Sequence, residues 1–276
     1  MVKCLFWNIN KKNLVQELIR IVWENGIDIL MLVEAENLDI SYLIAGLRKT
    51  GRCFEQKEIL PKEKGILFLT DRSITVSVYR EEKYFAAYKV KEKGKNRLLV
   101  VVHLASAMYY SELARNQRAN DLARIIEKLE ETCNLEADRQ DESPYGMAVI
   151  GDFNLQPFSA GIIGRHGFNA IMDWEKAMQK SRFCHRDMVK YYYNPMWNLM
   201  GKRGHALGTY YYDSDQDDNS FYWYTFDQIL LRPELMDDFI WEEFEIIEHI
   251  GNDSLMKNNR IYHKKYSDHL PVKFAI

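Results

Sequence analysis

Six short apolar runs in this sequence break off at residues that can do chemistry, and this pattern constrains the fold more than any other feature of the chain. LFWN ends at Asn8, ILMLVE ends at Glu34, LLVVVHL contains His103, and AVIGDFN carries Asp152 and Asn154. TFDQILL brings Asp227 at its third position, and YSDHLPV holds Asp268 and His269. Short apolar runs bounded by polar residues read as buried strands. Polar side chains at strand ends can gather above one rim of a sheet while their apolar neighbours stay inside. The chain therefore calls for sheets whose functional ends meet on one side.

The segments between these runs change period. Residues 2–7 form an apolar run, Leu14, Leu18, Ile19 and Val22 follow at helical spacing, and residues 28–33 are apolar again, which reads as strand, helix, strand. A second helix is expected over 43–49, and strands over 66–69, 74–79, 85–90 and 98–104. An amphipathic helix is expected over 112–133, with Leu113, Leu122, Ile125, Ile126 and Leu129 on its apolar stripe. Residues 134–144 read as a polar loop closed by Pro144, residues 147–150 as a buried strand, and Pro157 as the first turn of a helix. Further strands are expected over 209–212, 221–224, 226–231, 239–247 and 271–275, and the acidic stretch 213–218 as a hairpin tip. With no repeat and no linker in view, residues 1–276 are expected to form one α+β domain.

Composition narrows the class. Hydrophobic residues make up 47% and aromatics 13% at a net charge of −3, so the chain can bury a core and is not a disordered polyelectrolyte. No run approaches the ~18–20 apolar residues that cross a bilayer, so no membrane association is expected. The start, MVKCLFWNINKK, does not resemble a signal peptide. Cys4, Cys53, Cys133 and Cys184 are scattered, which reads as reduced thiols and a cytoplasmic protein.

The polar residues that end the runs suit phosphate chemistry. A hard divalent cation needs oxygen ligands, which Glu34 and Asp268 supply. A base for water is available in Asp152 or His269. Charge on a phosphate needs donors, which Asn8, Asn154, His103 and His269 provide.

In their order, WN, LVEAE, HLAS, GDFN, TFDQILL and YSDHLPV resemble the endonuclease/exonuclease/phosphatase superfamily, from residue 7 to residue 271. That group includes deoxyribonuclease I, apurinic endonucleases, deadenylases, neutral sphingomyelinases and inositol polyphosphate 5-phosphatases. The resemblance implies a four-layer α-β-β-α sandwich of two packed, mostly antiparallel sheets. It implies Mg²⁺ as cofactor, with Mn²⁺ as a substitute, on Glu34 with Asn8 and Asp268. Asp152 and Asn154 would orient water and hold a phosphate oxygen, and Asp227 would orient His269 against the scissile phosphate. Either Asp152 or His269 would take the water's proton. His103 resembles a phosphate-contacting histidine; in some members a glutamate on a preceding strand pairs with it, and Glu81 and Glu82 stand nearby.

Twelve aromatic residues crowd positions 191–226, interleaved with basic ones, a mixture that suits stacked bases and phosphates. Trp197 is expected to touch substrate from an irregular loop, and Lys11, Lys264 and Lys265, which flank site residues, are expected to bind its backbone. Together these features lead to a metal-dependent phosphodiesterase, a nuclease acting on DNA or RNA. Two other readings use the same residues: a phosphoesterase for lipid headgroups, inositol phosphates or nucleotides, and a catalytically silent binding protein of the same fold.

Overall fold

The computed structural model describes residues 1–58, 65–106, 109–214 and 220–276. The chain opens with β1 (Lys3–Asn8), α1 (Val15–Asn25) and β2 (Ile29–Val33), with β1 and β2 parallel. α1 forms because Val15, Leu18, Ile21 and Val22 fall on one buried face, and it stops at Gly26, whose φ of 64° suits a residue without a Cβ. α2 (Ile40–Lys49) is capped by the Asp39 side chain and packs beside α1. β3 (Phe54–Gln56) and β4 (Ile66–Asp71) complete one flank of this sheet. On the other flank the strands Val272–Ala275 and Glu245–Ile246 come from the far end of the chain, and Val272–Ala275 pairs antiparallel with β1.

The second sheet is built from the middle of the chain. β5 (Thr75–Glu82), β6 (Phe85–Glu92) and β7 (Lys95–His103) form an antiparallel meander. α3 (Glu112–Arg139) then carries the chain to β8 (Gly146–Asp152), which lies parallel to β7. The strand Asp227–Leu231 runs antiparallel along the other side of β8, followed by the short strands Tyr192–Tyr193 and Ala170–Ile171. Every residue of β8 is buried, as its unbroken apolar run predicts for a strand covered on both faces.

Three apolar layers hold these elements. Phe6, Met31, Phe68, Tyr88, Val101 and Ile150 belong to the layer between the sheets, where Phe68 and Tyr88 stack at 3.8 Å. Leu5, Trp7, Leu18 and Leu43 join the first sheet to α1 and α2, and Val100, Val149, Ile126 and Leu129 join the second to α3. This is the four-layer α-β-β-α sandwich that the family resemblance implies.

Several local expectations differ. α3 runs on through residues 134–139, because Ala137 continues the buried spacing from Cys133 and Pro144 comes too late to end it. Leu113 and Ile125 leave its apolar stripe: Leu113 lies in the first turn, and Ile125 faces about 100° away from Ile126. Pro157 sits in a turn, and the next helix, α4 (Ala160–Ile163), begins after Ser159. Residues 239–247 do not form one strand, since the buried Phe239, Phe244 and Ile247 do not alternate; a 3₁₀ turn at Trp241–Glu243 precedes the pair Glu245–Ile246. The strands Phe54–Gln56, Ala170–Ile171 and Tyr192–Tyr193 and the hairpin Ser181–Cys184/Asp187–Lys190 are too short or too polar to stand out in the sequence. Most of the expected acidic hairpin tip at 213–218 lies outside the described residues.

Candidate active site

Strand register assembles the site. In the second sheet His103 is paired with Asp152 across β7 and β8, and Asp152 with Asp227 on the next strand, so three functional residues form one row. In the first sheet Asn8 is paired with Val33, which places Glu34 one residue beyond the end of β2. Asp268 and His269 stand a few residues before Val272–Ala275, the strand that pairs with β1. Seven of the eight expected catalytic and metal residues thus meet through direct contacts, and Asp268 borders them.

Asn8 joins the two sheets. Its amide nitrogen donates to Glu34 Oε1 at 3.2 Å and to Asp152 Oδ2 at 3.0 Å, while its Oδ1 accepts from the backbone of Asn10 at 3.0 Å. In this arrangement its donor side, not its oxygen, faces the carboxylates. Asn8 and Asp152 are both buried. Asp152 Oδ1 accepts from the backbone N–H of Asn154 at 2.8 Å, and the Asn154 amide donates to the Leu104 carbonyl at 3.0 Å.

Two histidines flank the same Asp152 oxygen, His103 Nε2 at 4.0 Å and His269 Nε2 at 3.9 Å. His103 Nε2 also lies 3.5 Å from Glu34 Oε1, so the acid beside it is Glu34, whereas Glu81 and Glu82 pair with Ala86 and Phe85 in the meander. Burial disfavours charge on His103, yet Glu34 and Asp152 outweigh it and raise its pKa. The His103 contact, aided by Asn8, correspondingly holds the Glu34 carboxyl below its usual range against partial burial.

His269 is fixed from three sides. Its Nδ1 lies 2.7 Å from Asp227 Oδ2, its carbonyl accepts from Trp7 Nε1 at 2.8 Å, and its ring rests 4.8 Å from the Tyr210 ring. Burial would lower its pKa, but the charges of Asp227 and Asp152 push it up to about 10. Burial also raises Asp227, so the pair resists losing its shared proton. Ser267 donates to the Asn8 carbonyl at 2.6 Å and accepts from the His269 backbone, and its Oγ lies 3.4 Å from the half-buried Asp268.

The local backbone is specialised. Glu34 and Asn154 adopt φ of 52° and 50°, unusual values outside glycine that turn their side chains off the strand ends. Gly151 has φ of 154°, and a Cβ there would lie 1.9 Å from the Val102 carbonyl oxygen on β7. The glycine of GDFN is what lets β8 approach β7 beside Asp152.

The oxygen donors suit a hard cation. Glu34 Oε2 receives no hydrogen bond from a described residue, and its side chain is 27% exposed, which leaves an oxygen available. Potential ligand atoms of Asp152, Asp227 and His269 also lie within 4.8 Å of one another, although Asp227 and His269 already bind each other.

The expected substrate residues are less concentrated. The Lys11 backbone donates to the Glu34 carbonyl at 2.8 Å, which places that lysine beside the site. Lys264 is exposed, and Lys265 lies 3.8 Å from Asp253, outside the contacts just described. Trp197 stands in a 3₁₀ turn, Pro195–Asn198. It connects to the site by rings: Trp197 to Phe158 at 6.1 Å, Phe158 to Phe221 at 5.9 Å and Phe221 to Tyr224 at 5.6 Å. Tyr224 then meets Phe226 at 5.0 Å, Phe226 meets Tyr210 at 5.3 Å, and Tyr210 meets His269. Phe158 and Phe221 are 43% and 46% exposed, so this path has a solvent face. Phe158, Tyr210 and Arg115, whose guanidinium donates to the Asn154 carbonyl, were not expected site residues. The only sequence signals were their closeness to GDFN, to the aromatic segment and to the start of α3.

No protein-family model matches the chain, and no curated protein sequence matches it. Solved structures do. A Danio rerio TDP2 complexed with single strand DNA product has a TM-score of 0.56 at 15% identity, covering 99% of this chain and 97% of that one. An AP endonuclease from Archaeoglobus fulgidus has a TM-score of 0.55 at 13% identity, covering 100% of this chain and 99% of that one. An endonuclease/exonuclease/phosphatase family protein from Leptotrichia buccalis C-1013-b has a TM-score of 0.54 at the same identity and the same coverage. The likeness is one of architecture over the whole length: this chain has the deoxyribonuclease I-like fold of the endonuclease/exonuclease/phosphatase proteins.

Proposed function

We propose that this protein is a metal-dependent phosphodiesterase that hydrolyses nucleic acid by in-line attack of water. The observation that carries the reading is the Asn8 amide, which joins Glu34 of one sheet to Asp152 of the other while two histidines flank the same Asp152 oxygen. Glu34 and Asp268 would hold a divalent cation, with Mg²⁺ the expected ion and Mn²⁺ a substitute, and it would supply positive charge against the phosphate. Asn8 orients Glu34. Asp152, held by Asn8 and the Asn154 backbone, orients the water and takes its proton. His269, steadied by Asp227 and Tyr210, donates through Nε2 to a phosphate oxygen, and His103 does so from the opposite side. The Asn154 amide spends one N–H on Leu104, and its other N–H serves a phosphate oxygen.

The half-exposed ring path from His269 to Trp197 favours a polymer with bases over a small phosphoester, since a base stacked on an aromatic ring gains ~1–3 kcal/mol. Lys11, beside the site, would meet a strand's backbone, and the exposed Lys264 and Lys265 would extend that basic flank. The experiment is a substrate panel of plasmid, single-stranded DNA, structured RNA, nucleotides and phospholipids, with Mg²⁺, Mn²⁺ or EDTA, on the wild type and Glu34→Gln. Cleavage of nucleic acid should need metal, and Glu34→Gln should shift the metal titration to higher concentration. Cleavage of headgroups alone would transfer the site to the small-phosphoester reading. No cleavage of anything would leave a binding protein.

A further inference from the structure

Arg115 closes the first turn of α3 and lies over the loop that follows Asp152, the candidate base, at the end of β8. One of its guanidinium nitrogens donates to the Asn154 carbonyl, and its Nε is buried without a partner. Another arginine of this protein shows how such a group is ordinarily accommodated: Arg232 is gripped by Glu130 at 2.8–3.2 Å and lies over the Tyr192 ring. Arg115 has no such carboxylate among the described residues. The carboxylates that act on it, Glu112 and Asp152, do so from beyond ion-pair contact. A guanidinium stays charged in a protein, so withdrawing it partly from water without a counter-charge costs free energy that a bound anion would recover.

Its position says which anion. The Asn154 side chain and both histidines surround the place proposed for the scissile phosphate, whereas Arg115 holds the carbonyl side of Asn154, and the adjoining Phe153 donates its backbone N–H at 2.8 Å to the carbonyl of Phe226, a member of the ring path. We propose that Arg115 binds the substrate phosphate next to the scissile one, on the flank where the rings take bases. This rests on the nuclease reading and adds a recognition point to it.

The test uses metal-free protein and a short single-stranded oligonucleotide, with affinity measured across salt concentrations. Arg115→Gln keeps a donor for the Asn154 carbonyl but removes the charge. It should flatten the slope of log affinity against log salt by about 0.7, the value for one phosphate of a single strand. Arg115→Lys should keep the wild-type slope. With metal, Arg115→Gln should raise KM about tenfold and leave kcat within about threefold. An independent arm needs no variant: replacing the phosphate beside the cleavage position by a neutral methylphosphonate should weaken wild-type binding about as much as Arg115→Gln does. An unchanged slope with a lowered kcat would make Arg115 a brace for the loop and overturn the proposal, as would indifference to the methylphosphonate. If the wild type binds no oligonucleotide, the nuclease reading falls first and the phosphate contact with it.

Discussion

Gly151→Ala puts the smallest possible side chain into the central strand of the second sheet, and the structure says it will not fit. The new Cβ would lie 1.9 Å from the Val102 carbonyl oxygen and 2.8 Å from the Val102 carbonyl carbon, at a φ of 154°. The obstacle is backbone, so no rotamer change relieves it. Strain at such a φ costs roughly 1–3 kcal/mol, and forcing extra atoms into a packed interior costs about 1–3 kcal/mol more. The expected loss of about 2–6 kcal/mol is a large part of the ~5–15 kcal/mol that stabilises a typical domain. Relaxation has one direction: β8 must move away from β7, which carries Asp152 away from His103. A displacement near 1 Å can lower a rate about 10²-fold. Urea titration followed by circular dichroism should show an earlier midpoint with an unchanged slope, and the folded fraction should have lost most of the phosphodiesterase activity proposed above. A variant within about 0.5 kcal/mol of the wild type and fully active would refute the packing argument, since β8 would then have room that the structure denies it.

Two further expectations concern the acid–base groups. In metal-free protein His269 holds its proton up to about pH 10, against an ordinary value of 6.5, and Asp227 is raised as well; both shifts favour folding at lower pH, so the urea midpoint should fall as pH rises from about 6.5 to about 10, and His269→Gln should lessen that fall. Asp152→Asn and His269→Ala should each cost at least ~10²-fold in turnover, and the double variant should fall short of the product of the two losses, because both groups serve one phosphoryl transfer; fully multiplicative losses would mean that they act independently.

The sequence made the strand ends legible because each of them is local: an apolar run, then a residue with an oxygen or an imidazole. It could not give the register, which depends on strands far apart in the chain. His103 faces Asp152 only because β7 and β8 pair across the length of α3, and Asp227 joins that row from 75 positions further on. For the same reason the acid beside His103 is Glu34, which comes from the other sheet and from 69 positions earlier in the chain. The GDFN glycine was visible as a letter, but its function is a contact with Val102. Nothing in the sequence distinguishes Arg115 from the other charges of the amphipathic helix, and only the fold shows that it lies over Asn154. The aromatic segment divided where the sequence could not divide it: Tyr191, Tyr192 and Tyr193 are buried, while Phe221 and Tyr222 are exposed.

The strand Val272–Ala275 seals the first sheet beside β1, and Val2 and Ile276 exchange backbone hydrogen bonds at 2.7 and 3.1 Å. A ribosome delivers residues in order, so β1 emerges early and waits through synthesis of the whole second sheet for its neighbour. His269 arrives with that last strand, and Asn8 and Trp7 have no Ser267 or His269 to hold until then. A chain still being made can build its second sheet, yet it has no histidine to set against Asp227. Under the reading proposed above, a nuclease assembled in this order lacks the histidine that faces the phosphate until the segment around residues 267–275 has been made.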